Sequence, residues 1–312
     1  MAHLVETMAY RNETPWHGLG NRLSEDQPLE VWLKEAGMEW HILSAPVQYR
    51  AQAELQDFVD QKVLYRSDTL RPLSVVSKRY QVVQPREVLE FYRDLVEVGG
   101  FELETAGVLK EGKKLWALAK TGQEATLKGG DRVKAYLLLA TACDGTLATT
   151  AQFTSVRVVC NNTLRMAVDD SSGAVRVPHS TKFDPIAVKK ELGVGISAWD
   201  EFMYQMRHLS ERKVTDLEAL TFTKDVFEAS NFSDQASKKA CDVVLTLFNG
   251  EGIGSTLEAA NDTAWGLLNA MTQYVDHERR ARSPSNRLDS AWFGVGAAIK
   301  QRALDAALQL AA

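Results

Sequence analysis

Residues 156–167, VRVVCNNTLRMA, hold a thiol (Cys160), two amides (Asn161, Asn162), a hydroxyl (Thr163) and two guanidiniums (Arg157, Arg165). Three chemistries fit these residue types. A thiolate could act as a nucleophile, with a distant histidine such as His17 as its base. The arginines could hold phosphates while Asn161, Asn162 and Thr163 donate to phosphate oxygens. The asparagines could also turn or cap the backbone where a strand gives way to a helix. Apolar neighbours argue against the nucleophile, because they raise a thiol pKa instead of activating it. A buried free cysteine ordinarily serves as a small packing residue.

A second group with binding chemistry is Lys78-Arg79-Tyr80 in SKRYQVV, two cations beside an aromatic ring. Single-strand sites use that combination for backbone contact and base stacking. Arg176 and Lys182 extend the candidate set, since residues 151–190 carry six cations against three carboxylates. Residues 277–302 carry six against two. The whole chain has a formal net charge of −5, so any affinity for a polyanion has to be local. Solvated faces produce similar excesses, and an exposed strand edge protected by charge would explain Lys78 and Arg79 equally well.

Familiar catalytic and cofactor signatures are missing. No phosphate-binding glycine-lysine loop, dinucleotide fingerprint, His-Glu-x-x-His, Cys-x-x-Cys or Gly-x-Ser-x-Gly run occurs. NGEGIGS at 249–255 is glycine-rich but lacks the flanking strand and the lysine, and it reads as a loop. The six histidines are scattered without ligand spacing. These absences lead us to expect no enzyme, no cofactor and no metal.

Elements that would position these residues follow from periodicity. The segment through Asn21 reads as irregular. Pro28, then Leu29, Trp32, Leu33 and Ala36, then Gly37 predict a short helix with a glycine stop. Strand patterns run from Trp40 to about Val83, and QPREVLEFYRDLVEVGG predicts a helix over 86–98. Strands are expected at 101–109 and 114–121. KGGDRVK (128–134) reads as a solvated turn, and a long hairpin over 132–158 turns at Asp144-Gly145. Beyond Pro178 the patterns are helical, opening with Asp184 as the expected cap. SPSNR at 283–287 reads as a polar loop before the last helix.

The fold expectation is therefore α+β: a mixed, mainly antiparallel curved sheet with a packed helix, followed by an all-helical C-terminal half. Segments 1–39 (loop and short helix), 40–183 (α+β core with the long hairpin) and 184–312 (helical) are the expected domains. Length of 312 residues, 45% hydrophobic and 25% charged, suits a globular chain of one or two domains. No signal peptide or spanning segment is expected. Three widely spaced cysteines point to a reduced, cytoplasmic setting.

TPWHGLG (Thr14 to Gly20), RVVCNNTL (Arg157 to Leu164), WGLLNAMTQYVDH and SAWFGVGAAIKQRAL together resemble the phage- and plasmid-borne proteins grouped as domain of unknown function family 932. That resemblance covers nearly the whole chain and implies a mobile-element setting without supplying catalytic residues. The order of helix 86–98, two strands, long hairpin and helices also resembles the phage single-strand annealing proteins of the RecT, Redβ and Erf types. This second likeness implies side-by-side assembly into a ring or filament, with single-stranded DNA in a basic groove. Fold does not fix function.

Our leading expectation is a non-catalytic single-stranded-DNA-binding protein of a phage or plasmid, annealing strands in DNA recombination as a homo-oligomer. Its DNA-binding candidates are Lys78, Arg79, Tyr80, Arg157, Asn161, Asn162, Arg165, Arg176 and Lys182. The long hairpin is expected to expose a sheet edge for subunit pairing. The alternatives are an interaction protein that binds a host protein, such as a counter-defence factor, and an enzyme using Cys160 with His17.

Overall fold

The computed structural model describes residues 5–11, 20–25, 27–99, 101–160, 162–166, 174–192, 195–229 and 234–312. Strands β1 (Val5–Arg11) and β2 (Asn21–Leu23) precede α1 (Leu29–Glu35). A meander of β3 (Ile42–Ala51), β4 (Glu54–Arg66) and β5 (Pro72–Ser77) leads to α2 (Pro85–Gly99). Next come β6 (Glu102–Leu109), β7 (Lys114–Leu127), β8 (Asp131–Ala142), β9 (Thr149–Arg157), β10 (Asn162–Arg165) and β11 (Ala174–Val177). Helices follow: α3 (Pro185–Leu192), α4 (Gly195–Glu211), α5 (Asp216–Glu228), α6 (Asp234–Thr246), α7 (Ala264–Gln273), α8 (Pro284–Phe293) and α9 (Val295–Ala311). The fold is α+β.

Sheet order is β10-β9-β8-β7-β6-β1-β2, with β11 also on β9, and β3-β4-β5 form a separate sheet. Strands β1 and β2 pair in parallel, whereas β1–β6, β6–β7, β9–β10, β9–β11, β3–β4 and β4–β5 pair antiparallel. Two compact units interleave along the chain. One comprises Met1–Gly122, Tyr136–Gln152 and Ala174–Gly193; the other Gln123–Ala135, Phe153–Gly173 and Val194–Ala312. This division differs from the consecutive segments 1–39, 40–183 and 184–312, because β7, β8 and β9 each contribute residues to both units.

Local signals set several boundaries. After α1, Gly37 takes φ +68°, its N–H reaches the Lys34 carbonyl, and Met38 N–H reaches Leu33. That pair of bonds is a Schellman stop, and a side chain there would collide with Thr7. Asp184 Oδ1 accepts from the N–H groups of Ile186 and Ala187, capping α3 as expected. The β8–β9 turn is built around Asp144, whose Oδ1 accepts from Thr146 N–H and hydroxyl, with Gly145 at φ +76°. In the first unit α2 buries Val88, Leu89, Phe91 and Tyr92. Each large apolar side chain taken out of water contributes about 1.5–3 kcal/mol. The Tyr92 hydroxyl lies 2.8 Å from the carbonyl of Ala117 on β7 and 3.1 Å from that of Leu137 on β8.

Four expectations need correction. Residues 5–11 are not irregular: β1 pairs with β6 from Val5↔Leu109 to Tyr10↔Thr105 and buries Met8, Ala9 and Tyr10. Three consecutive buried residues break the alternation that reveals a half-exposed strand, so pairing prevails over local pattern. Residues 162–165 form β10 antiparallel to β9, so the VVCNN stretch joins strand to strand and not strand to helix. SPSNR begins α8, with the Ser283 hydroxyl accepting from Asn286 N–H and Pro284 in the first turn. Finally, β8 lies between β7 and β9, and β9 between β8 and the β10 and β11 strands, so the long hairpin offers no free edge.

Candidate functional site: a buried polar knot and an exposed cationic clasp

The second unit contains a polar network unusual for its burial. Arg157, at the end of β9, is 2% exposed. Its Nε lies 2.8 Å from Asp131 Oδ1 and its Nη2 2.7 Å from Oδ2, a bidentate ion pair. Asp131, fully buried at the start of β8, also accepts from Trp265 Nε1 at 2.9 Å. The other guanidinium edge donates to the carbonyls of Ile253 (3.3 Å) and Gly254 (2.9 Å) in the NGEGIGS loop. Gly254 has φ +70°, and a side chain there would meet Val159 and Arg157. The loop is thus a receptor for Arg157.

The β9–β10 turn is held by the C-terminal helices of the same unit. Asn162 Nδ2 donates to the Asn269 carbonyl on α7 at 3.0 Å. His277 Nε2 lies 3.0 Å from the Cys160 carbonyl and 3.2 Å from Asn162 Oδ1. Thr163 N–H donates to Asp276 Oδ2 at 2.9 Å, and Lys300 Nζ on α9 reaches both Asp276 Oδ1 and Thr163 Oγ1 at 2.7 Å. Burial pushes the Lys300 ammonium below its ordinary value, against the attraction of Asp276. Burial likewise lowers the His277 imidazole, opposed by Asp276. Such a pair persists only when further hydrogen bonds satisfy both ions, and Thr163 supplies them here.

Burial pushes the Cys160 thiol up to about 11, although Arg157 pulls the other way. Cys143, also buried, is pushed up to about 12 for the same reason. Neither thiol sits in the electropositive, partly exposed setting that activates a nucleophile. Among the described residues, no group of three His, Cys, Asp or Glu is placed to hold a metal ion.

In the first unit a different arrangement gathers cations at the surface. After β5 the chain turns at 77–80, and Tyr80 stacks on His179 with ring centroids 4.3 Å apart and planes 17° from parallel. Gln81 N–H donates to the His179 carbonyl, while the His179 ring nitrogens lie 3.0 Å from the Gln81 carbonyl and 2.9 Å from that of Leu147. The Tyr80 hydroxyl donates to the Ala142 carbonyl at 2.8 Å, and burial raises its pKa. Lys62 Nζ holds the Tyr80 carbonyl at 2.9 Å. This clasp joins the segment bearing exposed Lys78 and Arg79 to the segment bearing exposed Arg176 and Lys182.

The nine predicted contact residues therefore separate. Lys78, Arg79, Tyr80, Arg176 and Lys182 belong to the first unit, and the four cations among them face solvent. Tyr80 is half-buried with one ring face on His179, so it braces the cations and is not a free stacking platform. Arg157 and Asn162 are corrected outright: both are buried and bonded within the protein, which leaves neither a surface for phosphate. Arg165, on β10, is half-buried. Asn161 lies outside the described residues, as do Trp16 and His17 of the Thr14–Gly20 motif. Sequence reasoning missed Asp131, assigned to a solvated turn, and the acceptor role of the NGEGIGS loop. An aspartate opening an apolar run, Asp131 before Val133 and Ala135, was the available signal.

The chain belongs to the family described as Domain of unknown function (DUF932), whose sequence model matches residues 72–292. No curated protein matches it, and no solved structure does. The matched span contains the clasp and most of the knot, from Asp131 through His277, while Lys300 and the Thr14–Gly20 motif lie beyond it. Membership carries no activity with it. It does place RVVCNNTL and WGLLNAMTQYVDH in one family segment, where the knot joins them.

Proposed function

We propose that this protein binds single-stranded DNA through the exposed cations Lys78, Arg79, Arg176 and Lys182, as a non-catalytic, cofactor-free homo-oligomer of a phage or plasmid. The observation that carries the reading is the Tyr80–His179 clasp, which fastens two cation-bearing segments to each other on one unit. Exposed cations that make no ion pair among the described residues attract phosphate by releasing counterions, whatever the net charge of the whole chain. Phosphate contacts of this kind leave base edges free, which strand annealing requires. The buried thiols support the non-catalytic part.

The test is fluorescence anisotropy with a labelled single strand and a duplex of equal length, across a salt titration. Tighter binding to the single strand, weakening steeply with salt, is expected. The double substitution Lys78→Ala with Arg79→Ala should weaken binding about tenfold and flatten the salt slope by about 1.4, since each single-strand phosphate contact contributes about 0.7. Equal affinity for the variant and wild type, or no binding at low salt, rejects the reading.

A second reading, a factor that binds a host protein, is favoured by the exposed apolar side chains of β3 and β4. It becomes the leading one if no oligonucleotide binds.

A further inference from the structure

Beyond the last rung shared with β5, β3 and β4 continue as a two-stranded ribbon. β5 pairs with β4 only from Gln61 to Tyr65, whereas β3 and β4 remain paired from Gln48↔Asp57 to Ala51↔Glu54. Every residue of β4 from Glu54 to Gln61 is exposed. Among them are Leu55 (60%), Phe58 (45%) and Val59 (69%), with Tyr49 (52%) on β3. A two-stranded ribbon in water is marginally stable on its own, and four large apolar side chains in solvent weaken it further.

The apolar side chains occupy both faces. Tyr49 stands opposite Gln56 on one face and Leu55 opposite Arg50 on the other. Between the pairs Pro46↔Lys62 and Gln48↔Asp57, Val47 alone faces residues 58–61, and this bulge carries Phe58 and Val59. A flat docking surface covers one face only. A ribbon that is apolar on both is covered by another element wrapping around it.

We infer that this ribbon, residues 47–61, is the self-association element of the protein and docks on the same ribbon of a second copy. The inference deepens the homo-oligomeric part of the proposed function and rests on that part alone. Two observations favour a second copy as the occupant. Burying the four apolar side chains and their neighbours from both copies removes on the order of 1,000 Å², the threshold for a specific interface. One reciprocal charge pair is available: Arg50 and Asp57 share the face that carries Leu55, so two ribbons wrapped around each other about a two-fold axis can set each Arg50 against the other copy's Asp57. Pro46 interrupts the outer edge of β3 and the bulge that of β4, which disfavours open-ended strand addition and leaves a closed pairing.

Sedimentation equilibrium of the full chain at micromolar concentrations tests this. Wild type should associate reversibly. Leu55→Asp with Val59→Asp should be monomeric, with an unchanged circular dichroism spectrum, because both side chains are mostly in solvent within their own chain. Arg50→Glu should weaken association about tenfold, and a mixture of Arg50→Glu with Asp57→Lys chains should restore it as a heterodimer. Monomeric wild type, or association unaffected by the Leu55/Val59 substitutions, overturns the proposal. Anisotropy on the same variants separates the two ideas. Loss of DNA binding in the Lys78/Arg79 variant with association intact touches only the clasp, and the reverse pattern touches only the ribbon.

Discussion

Arg157 and Arg176 are both arginines on strands paired with β9 or forming it, in a stretch whose basic excess suggests one binding surface. Their fates are opposite. Arg157 finds Asp131, two loop carbonyls and the face of Trp265, 5.8 Å from its ring centroid, and is buried. Arg176 stands opposite Thr150 at an exposed strand position. A guanidinium goes inside only where a carboxylate and further acceptors meet it, because an isolated buried charge is prohibitively expensive. The lesson extends to the two regions. The knot uses cations as internal fasteners and should govern stability, whereas the clasp leaves them in water and should govern binding.

The strongest way to break that distinction is Asp131→Ala. It strands Arg157 in the interior and removes the acceptor of Trp265, so a loss of about 3–5 kcal/mol is expected, read from the urea midpoint. A shift below about 1 kcal/mol would show that the knot is not structural. Lys300→Met comes next. Its apolar replacement fills the space but takes from Asp276 the cation that pairs with it, and a loss of about 3 kcal/mol is expected by the same measurement. By contrast, the Lys78/Arg79 double substitution should leave the midpoint unchanged while altering DNA affinity.

The smallest expected effect is a pH dependence. His277 has its pKa lowered by burial, so the folded protein binds fewer protons there than the unfolded chain. Its contribution to stability is therefore present above the ordinary imidazole value of 6.5 and is lost as pH falls through the folded value. Melting temperatures from pH 8 down to about 5 should decline more steeply in wild type than in His277→Asn. Parallel curves would assign the acid dependence to other groups.

Much of the fold was legible in local chemistry. Helix α2, the Gly37 stop, the Asp184 cap and the Asp-Gly turn all follow from residues within one turn of each other. α5 was equally legible, since Thr215 and Glu218 form a reciprocal capping box, yet its run was not read as an element. β1 was less so, because its burial depends on β6, nearly a hundred positions away. The site divided in the same way. Lys78 and Arg79 were recognisable as cations beside an aromatic ring, but the stacking partner of Tyr80 is His179, which no spacing rule would pair with it.

The sequence by itself determined the α+β class, most element boundaries, the absence of familiar catalytic motifs and the list of cations able to meet an anion. Among the described residues no helix is long and apolar enough to cross a membrane, as hydropathy already indicated. Only the tertiary structure decided which cations remain available. Asp131 lies 26 positions from Arg157, Trp265 lies 134 from Asp131, and Lys300 lies 137 from Thr163. Whether a charge is a fastener or a contact depends on what the fold brings within about 3 Å of it, and at those separations local pattern carries no such information.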